Sequence, residues 1–249
     1  MSAAATDHTG CCPGVALWPP AGLRISATAR GVPLVLRTVG DEDLAGLVSI
    51  FPPDVPHDPD LAVGGDPEQV AAQAVLRHVW RARAELAPQN WRLTFAVEAA
   101  GELAGQQDLK AEHFPLRRIV ETSSWLGEAF RGRGIAKAMR AMVLQLAFTC
   151  FDAVAAEADS AEGNDAALGV SRSLGYSPCG DTYALHQGRV EHVLWSRLTR
   201  DRWALLRQGY GLADVEITGA AACRPLLGLA PVAADTVAAD TVAADTVGG

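Results

Sequence analysis

Cysteines and long apolar runs are both scarce in this chain, and each scarcity excludes a class of protein. The five cysteines (Cys11, Cys12, Cys150, Cys179 and Cys223) form no CxxC pair. Neither a disulfide framework nor a metal site is therefore predicted, and a reduced, cytoplasmic location is expected. No stretch of about 18 uninterrupted apolar residues occurs, which predicts no membrane span. The first basic residue is Arg24, so no signal peptide is expected either.

Basic residues are also fewer than acidic ones. The 249 residues contain 21 Lys and Arg against 29 Asp and Glu, which gives a net charge of −8. A broad basic face is not expected, and we predict no nucleic-acid partner. Hydrophobic residues at 49% and charged residues at 20% are ordinary for a globular protein, and the length suffices to bury a core without crosslinks.

The two ends of the chain differ in composition from its middle. Residues 1–22 are rich in Ala, Gly, Pro and Thr and are predicted to be a flexible arm. Residues 23–210 carry strand and helix patterns and are predicted to form the folded domain, with residues 211–231 as an extension packed on it. Residues 232–249 contain three copies of Val-Ala-Ala-Asp-Thr. These small side chains bury too little apolar surface to offset the entropy of ordering, so we expect a disordered tail.

Hydrophobic periods between about residues 30 and 205 predict the element order β α α β β β α β α β β. This order indicates an α/β (α+β) chain built around one mostly antiparallel sheet. The best-patterned helix is predicted from Gly134 to about Phe148. Its apolar stripe consists of Ile135, Met139, Met142, Val143 and Leu146.

The segment that joins a strand to this helix, Arg131-Gly-Arg-Gly134-Ile-Ala136, has a composition suited to a pyrophosphate. The first turn of a helix leaves backbone N–H groups unpaired at the positive end of the helix dipole. Glycines allow a phosphate to approach those groups, and two arginines add positive charge. A solvated turn has the same composition, but a P-loop and a dinucleotide fingerprint are excluded, because neither Gly-Lys-Ser/Thr nor GxGxxG is present.

The run Arg131-x-x-Gly134-x-Ala136 resembles the R/Q-x-x-G-x-G/A signature of the GNAT superfamily of acyl-CoA N-acyltransferases. Upstream, Glu121-Thr-Ser-Ser-Trp-Leu-Gly127 resembles the fourth strand that leads into that loop. The Trp-Leu-Gly sequence is similar to the branch of ribosomal-protein N-terminal acetyltransferases of the RimJ/RimL type. Downstream, Asn164 is followed by Gly175-Tyr176, which resembles the N-(x)10-G-F/Y segment of the fourth helix. The resemblance covers about residues 30–205.

This resemblance implies a GNAT fold, with a mixed, mostly antiparallel sheet of about seven strands and about four flanking helices. The sheet is splayed between its fourth and fifth strands, and the pantetheine arm of CoA lies in that gap. Acetyl-CoA is implied as co-substrate, without a metal. The implied CoA-binding residues are Trp125, Leu126, Gly127, Arg131, Gly132, Arg133, Gly134, Ile135, Ala136 and Asn164.

The implied reaction is transfer of an acetyl group from acetyl-CoA to a primary amine by direct attack in a ternary complex. The backbone N–H of Leu126 is the implied oxyanion donor. Glu121 is the favoured base, with a merely solvent-facing role as its alternative, and His113 is the competing base. Ser171 stands where many GNAT enzymes have the tyrosine that protonates the thiolate. The proton donor therefore stays open between Ser171, acting through water, and unassisted departure of the thiolate.

The acceptor is predicted to contact the loop 51–65, whose acidic rim attracts a cationic amine. Candidate substrate residues are His57, Asp58 and His113. A small molecule and a peptide N-terminus both fit, and the protein is expected to be a monomer or homodimer. Two alternatives remain open: a non-catalytic acyl-CoA-binding or regulatory module of the same fold, and a binding protein for another phosphorylated ligand.

Overall fold

A computed structural model describes residues 17–55, 66–186 and 189–232, which form one sheet with helices on both faces. The strands in this described part are β1 (Arg24–Ala29), β2 (Val32–Thr38), β3 (Asn90–Ala99), β4 (Glu102–Glu112), β5 (Ile119–Leu126), β6 (Ala155–Ala161), β7 (Ser177–His186), β8 (Arg189–Thr199) and β9 (Leu212–Thr218). Their order across the sheet is β7-β8-β6-β5-β4-β3-β2-β1-β9. Among the described strands, only β5 and β6 are parallel neighbours, so the predicted mixed, mostly antiparallel sheet is confirmed.

Seven α-helices flank the sheet within the described ranges. They are α1 (Leu44–Ile50), α2 (Pro67–Ala84), α3 (Phe114–Arg117), α4 (Ile135–Thr149), α5 (Asp165–Ser173), α6 (Arg200–Leu206) and α7 (Ala220–Cys223). The number of helices is larger than the predicted number of about four. Helices α3 and α7 span four residues each, which is too few to show a 3.6-residue period in the sequence. In the part of the chain that is described, no helix is long and apolar enough to cross a bilayer.

Helix α4 packs on one face of the sheet and provides much of the core. The predicted apolar stripe is confirmed, because Ile135, Met139, Met142, Val143 and Leu146 are all buried. These side chains belong to one large cluster with buried residues of β1 to β6. The stripe therefore fixes the N-terminus of α4 at the end of β5.

Helices α1 and α2 cover the opposite face. Successive residues of β3 face opposite layers, because Phe95 belongs to the cluster that contains α4 and Ala96 to the cluster that contains α1 and α2. On β5, Trp125 lies on the α1–α2 side, where its ring meets that of Phe51 edge to face with centroids 5.1 Å apart. Residues that alternate with Trp125 toward the start of β5 share this side.

The described sheet has nine strands where about seven were predicted, because β1 and β9 were not predicted from the sequence. β1 pairs antiparallel with β2 on one side and with β9 on the other. Both strands are short: β1 buries only Ile25 and Ala27, and no residue of β9 is fully buried. Such strands give little hydrophobic signal, since their stability comes from pairing with neighbours that are distant in sequence.

The segment after residue 210 adds β9, α7 and a 3-10 helix to the domain. Cys223 and Leu227 are fully buried. At Gly219, where φ is +77°, a Cβ would lie 2.3 Å from the carbonyl oxygen of Gly22. The backbone therefore passes so close to the start of β1 that only glycine fits there. The predicted arm and tail lie outside the described residues except for 17–22 and Val232.

Candidate active site

The parallel pair β5 and β6 separates after three rungs. Ile119, Val120 and Glu121 face residues 155–157 of β6. Beyond this point β6 pairs only with β8, while β5 continues to Leu126 beside β4. The predicted splay between the fourth and fifth predicted strands is thus present as an opening, which we call the split, between residues 122–126 and 158–161.

The backbone of Leu126 faces the split. The N–H of Gly127 donates to the carbonyl oxygen of Ala104 at 2.9 Å, and hydrogen bonding alternates along an antiparallel ladder. The N–H groups of Trp125 and Gly127 therefore point toward β4, and that of Leu126 points the other way. Of these three residues, Leu126 is the one whose N–H points to the split, and pairing of all three with pantetheine stays a prediction. Sequence alone cannot assign this direction.

The loop after β5 ends in a helix N-terminus that is open to a ligand. Gly132 and Gly134 have φ values of +74° and +81°, and a Cβ at Gly132 would meet nothing within 4 Å. Gly134 is the N-cap of α4, and its carbonyl oxygen accepts from Ala138. The N–H groups of Ile135 and Ala136, in the first turn, have no partner within the helix. The glycines thus give both the turn and the space that a phosphate needs.

Arg131 connects this loop to the residues that follow α1. Its Nε donates to the carbonyl oxygen of Leu126 at 3.1 Å. Its Nη1 and Nη2 donate to the two carboxylate oxygens of Asp54 at 2.8 and 2.9 Å. The hydrogen bond from Arg131 lowers the pKa of Asp54. The charge of Arg131 is therefore balanced by a carboxylate of the segment that follows α1.

Two other arginines lie at this loop: Arg133 within it and Arg30 beside it. Neither has a carboxylate partner among the described residues. The guanidinium of Arg133 lies over the ring of Phe130, 5.9 Å from its centroid. Arg30, in the turn between β1 and β2, has its guanidinium carbon 3.5 Å from where a Cβ on Gly134 would be. Arg30 was not predicted as a site residue, because nothing near it in sequence indicates this contact.

Glu121 stands at the last rung before the split, on the α1–α2 side. Its Oε2 is 2.7 Å from Nζ of Lys110, its registered neighbour on β4, and its side chain is 15% exposed. A carboxylate in this position is placed to meet an amine that enters the split from the α1–α2 side. The ion pair with Lys110 was not predicted.

Asn164 and Ser171 both make contacts that the sequence did not indicate. Asn164 is the N-cap of α5, and its Oδ1 accepts from the N–H of Ala167 at 3.1 Å. Ser171 is buried, and its Oγ accepts from Nη1 of Arg140 on α4 at 2.9 Å. The amide nitrogen of Asn164 and the hydroxyl proton of Ser171 remain as donors.

Of the three candidate substrate residues, the structure describes His113, which lies away from the split. His113 is exposed, has a left-handed φ of +49° and lies past the end of β4, three residues beyond the Lys110 rung and away from Leu126. His57 and Asp58 lie outside the described residues. Of these candidates, only His113 can be placed.

A buried polar cluster on the α1–α2 side was missed. Asp108 of β4 is 2.8 Å from Nε2 of His78 on α2 and 2.7 Å from Nη1 of Arg92 on β3. Burial favours a raised pKa for Asp108, but the charges and hydrogen bonds of His78 and Arg92 outweigh it, and the pKa is lowered. The sequence around His78 resembles a solvated basic face, and its partner lies 30 residues away.

Asp108→Asn is expected to lower the free energy of unfolding at pH 7 by about 3 kcal/mol, because Arg92 loses its counter-charge and His78 its carboxylate partner at a site where Asp108 is only 4% exposed. The folded-state pKa of Asp108 lies below its unfolded value of about 3.9, so its contribution is present above that pH and is lost as the pH falls below it. Urea unfolding at pH 7 and pH 3 should therefore show a smaller difference at pH 3.

Asp181→Asn is the matched control, because Asp181 also pairs with a histidine, His192, but is 59% exposed. We expect its effect to stay below about 1 kcal/mol. Equal losses in the two variants would show that burial of Asp108 does not decide the effect.

Comparison with known proteins agrees with this geometry. The family model described as acetyltransferase (GNAT) domain matches residues 33–177, more than half of the chain. RimJ of Mycobacterium smegmatis, solved with CoA-disulfide, is similar with a TM-score of 0.65 and 22% identity, over 78% of this chain and 97% of that one. A variant of the spermidine N-acetyltransferase SpeG from Vibrio cholerae is similar with a TM-score of 0.54 and 18% identity, over 69% and 96%. At these identities the likeness to solved structures concerns the fold.

Proposed function

Because the chain belongs to the GNAT acetyltransferase family, we propose that it transfers an acetyl group from acetyl-CoA to a primary amine by direct attack in a ternary complex. The observation that carries this proposal is the split, into which the N–H of Leu126 points and beside which α4 begins. An amine acceptor is also what the name of the structurally similar spermidine N-acetyltransferase indicates for that protein. A small molecule and a peptide N-terminus both remain within the proposal.

The residues around the split fit acyl-CoA. Open space at Gly132, the first-turn N–H groups of α4 and the guanidinium groups of Arg30 and Arg133 suit a diphosphate. The N–H of Leu126 and the amide nitrogen of Asn164 are donors for pantetheine or the acyl oxygen. When bound, acetyl-CoA supplies the activated acyl group. The solved structure of RimJ contains a CoA derivative, which supports this choice of ligand.

In the mechanism we propose, Glu121 takes a proton from the acceptor ammonium, directly or through water, since only the neutral amine has a lone pair. The Leu126 N–H donates to the acyl oxygen as negative charge develops there. Ser171 is the proposed source of the thiolate's proton, through water. The guanidinium of Arg140 donates to its Oγ and leaves the hydroxyl proton free to be donated.

A second candidate function is a non-catalytic acyl-CoA-binding module. The observation that favours it is the ion pair between Glu121 and Lys110. In this pair the carboxylate of the proposed base already has a cationic partner. For both candidates we propose the reducing cytoplasm as the location, which the free thiols of Cys150, Cys179 and Cys223 support.

The deciding experiment incubates the full chain with [14C]acetyl-CoA and a panel of primary amines, namely spermidine, kanamycin and a hexapeptide with a free N-terminal alanine. The same compounds with acetylated amines are the control. Label on at least one free amine, and none on the blocked forms, is the expected result. CoA binding by calorimetry without any transfer would favour the module, and absence of CoA binding would contradict both candidates.

A further inference from the structure

One rung of the sheet carries four charged side chains in a row. Lys110 of β4 is registered with Glu121 of β5, Glu121 with Glu157 of β6, and Glu157 with Arg197 of β8. Registered residues on neighbouring strands share a face of the sheet. The four side chains therefore lie side by side on the α1–α2 face, in the order cation, carboxylate, carboxylate, cation.

The two carboxylates are central and the two cations are peripheral. Glu121 is paired with Lys110 at 2.7 Å, and Oε1 of Glu157 accepts from Nε of Arg197 at 2.8 Å and also from its Nη2. The side chains of Glu121 and Glu157 are 15% and 8% exposed, against 33% for Lys110 and 46% for Arg197. Each carboxylate thus has a cation on its outer side only.

The inner side of this carboxylate pair is the floor of the split. Neighbouring strands lie about 4.8 Å apart, and like charges directly opposite on neighbouring strands repel. A cation between Glu121 and Glu157 would relieve that repulsion. The rung is the last one that β5 and β6 share, so the next positions open into the site where the acceptor must enter.

From this rung we infer that Glu157 is a substrate-binding residue, which together with Glu121 holds the ammonium group of the acceptor at the floor of the split. The inference rests on the proposed function. A primary ammonium has three N–H donors, enough to bond both carboxylates while its carbon chain leaves toward the α1–α2 side. Nothing in the sequence around Glu157 indicates this role, because its registered neighbours are 36 and 40 residues away.

Glu121 and Glu157 differ in what they can do with the proton. Two N–H donors of Arg197 hold one oxygen of Glu157, so this carboxylate is fixed in place. Glu157 therefore binds and orients the ammonium group. The proton moves to Glu121: an N–H bond of the ammonium breaks, an O–H bond forms on the carboxylate, and the nitrogen keeps the electron pair for attack.

The test is Glu157→Gln, assayed with the panel amine that has the lowest KM. We expect the acceptor KM to rise by about 10- to 100-fold, the range for losing one hydrogen bond to a charged group. The kcat should change less than about threefold, and the Kd for CoA should stay the same. The control is Glu102→Gln, which removes an exposed carboxylate at the other end of β4, about 27 Å from Lys110 by strand rise.

Titrating each panel amine by calorimetry into the CoA-bound protein separates this inference from the proposed function. Loss of amine affinity in Glu157→Gln alone supports the ammonium site even if no amine is acetylated. An unchanged acceptor KM with a lowered kcat in Glu157→Gln would overturn the inference. It would also be overturned if the parent protein bound none of the amines. An unchanged Kd for CoA shows that the variant is folded. We expect it to fold because Arg197, which loses its carboxylate partner, is 46% exposed and can be solvated.

Discussion

Gly134→Asp is expected to weaken binding of CoA by at least about 100-fold. The substitution adds a carboxylate where the diphosphate must meet the first turn of α4. Like charges about 5 Å apart in a partly exposed site repel by about 3 kcal/mol, which corresponds to this factor. The new carboxylate would also lie beside the guanidinium of Arg30 and neutralise it. Calorimetric titration with CoA measures the loss.

Gly101→Asp is the matched control for this variant. Gly101 has a φ of +84°, close to that of Gly134, and a Cβ there would meet nothing within 4 Å. Aspartate is among the residues that tolerate a left-handed conformation, so both variants should fold. CoA affinity equal to that of the parent in Gly134→Asp, or an equal loss in both variants, would show that the diphosphate is bound elsewhere.

Glu121→Gln is expected to lower kcat by roughly 10²- to 10⁴-fold, the usual range for a general base, with little change in the Kd for CoA. A primary amine is mostly ammonium at pH 7, because its reference pKa is about 8 for an α-amine and about 10 for a lysine. The loss should therefore shrink as the pH rises and solvent supplies more neutral amine. Rates measured from pH 6 to pH 10 would show this.

Glu98→Gln is the control for the loss of an ion-paired carboxylate. Glu98 of β3 pairs with Arg37 at 2.8 Å and is 24% exposed, and β4 separates its strand from β5. We expect its kcat to stay within about twofold of the parent. If Glu121→Gln keeps the parental rate and pH profile, Glu121 has only a structural role with Lys110, and His113→Ala becomes the next variant to measure.

The part of the site that was predictable from sequence is the part that is continuous in sequence. Strand β5, the glycine turn and the first turn of α4 occupy residues 119–136, and their strand and helix periods are local. Helix α4 was predicted within one residue at each end, since its stripe meets a single large core. The N-terminal position of Gly134, with its positive φ, follows from the same local pattern.

The parts that escaped prediction depend on pairing between distant segments. The rung that joins Glu121 to Glu157 is set by strand register, which no local period encodes. The same holds for the direction of the Leu126 N–H and for the contact of Arg30 with the loop. His78 and Asp108 were missed because a charged face on a helix has the same composition whether it meets water or a buried carboxylate.

The place of β9 beside β1 also affects how the chain is made. β1 is among the first strands to leave the ribosome, whereas β9 is the last of the described strands. Until Leu212–Thr218 emerges, the outer edge of β1 presents unpaired N–H and C=O groups that can add a strand from another nascent chain. Any chain interrupted before Leu212 keeps that edge open. Completion of the sheet thus removes an aggregation hazard only after β9 has been synthesised.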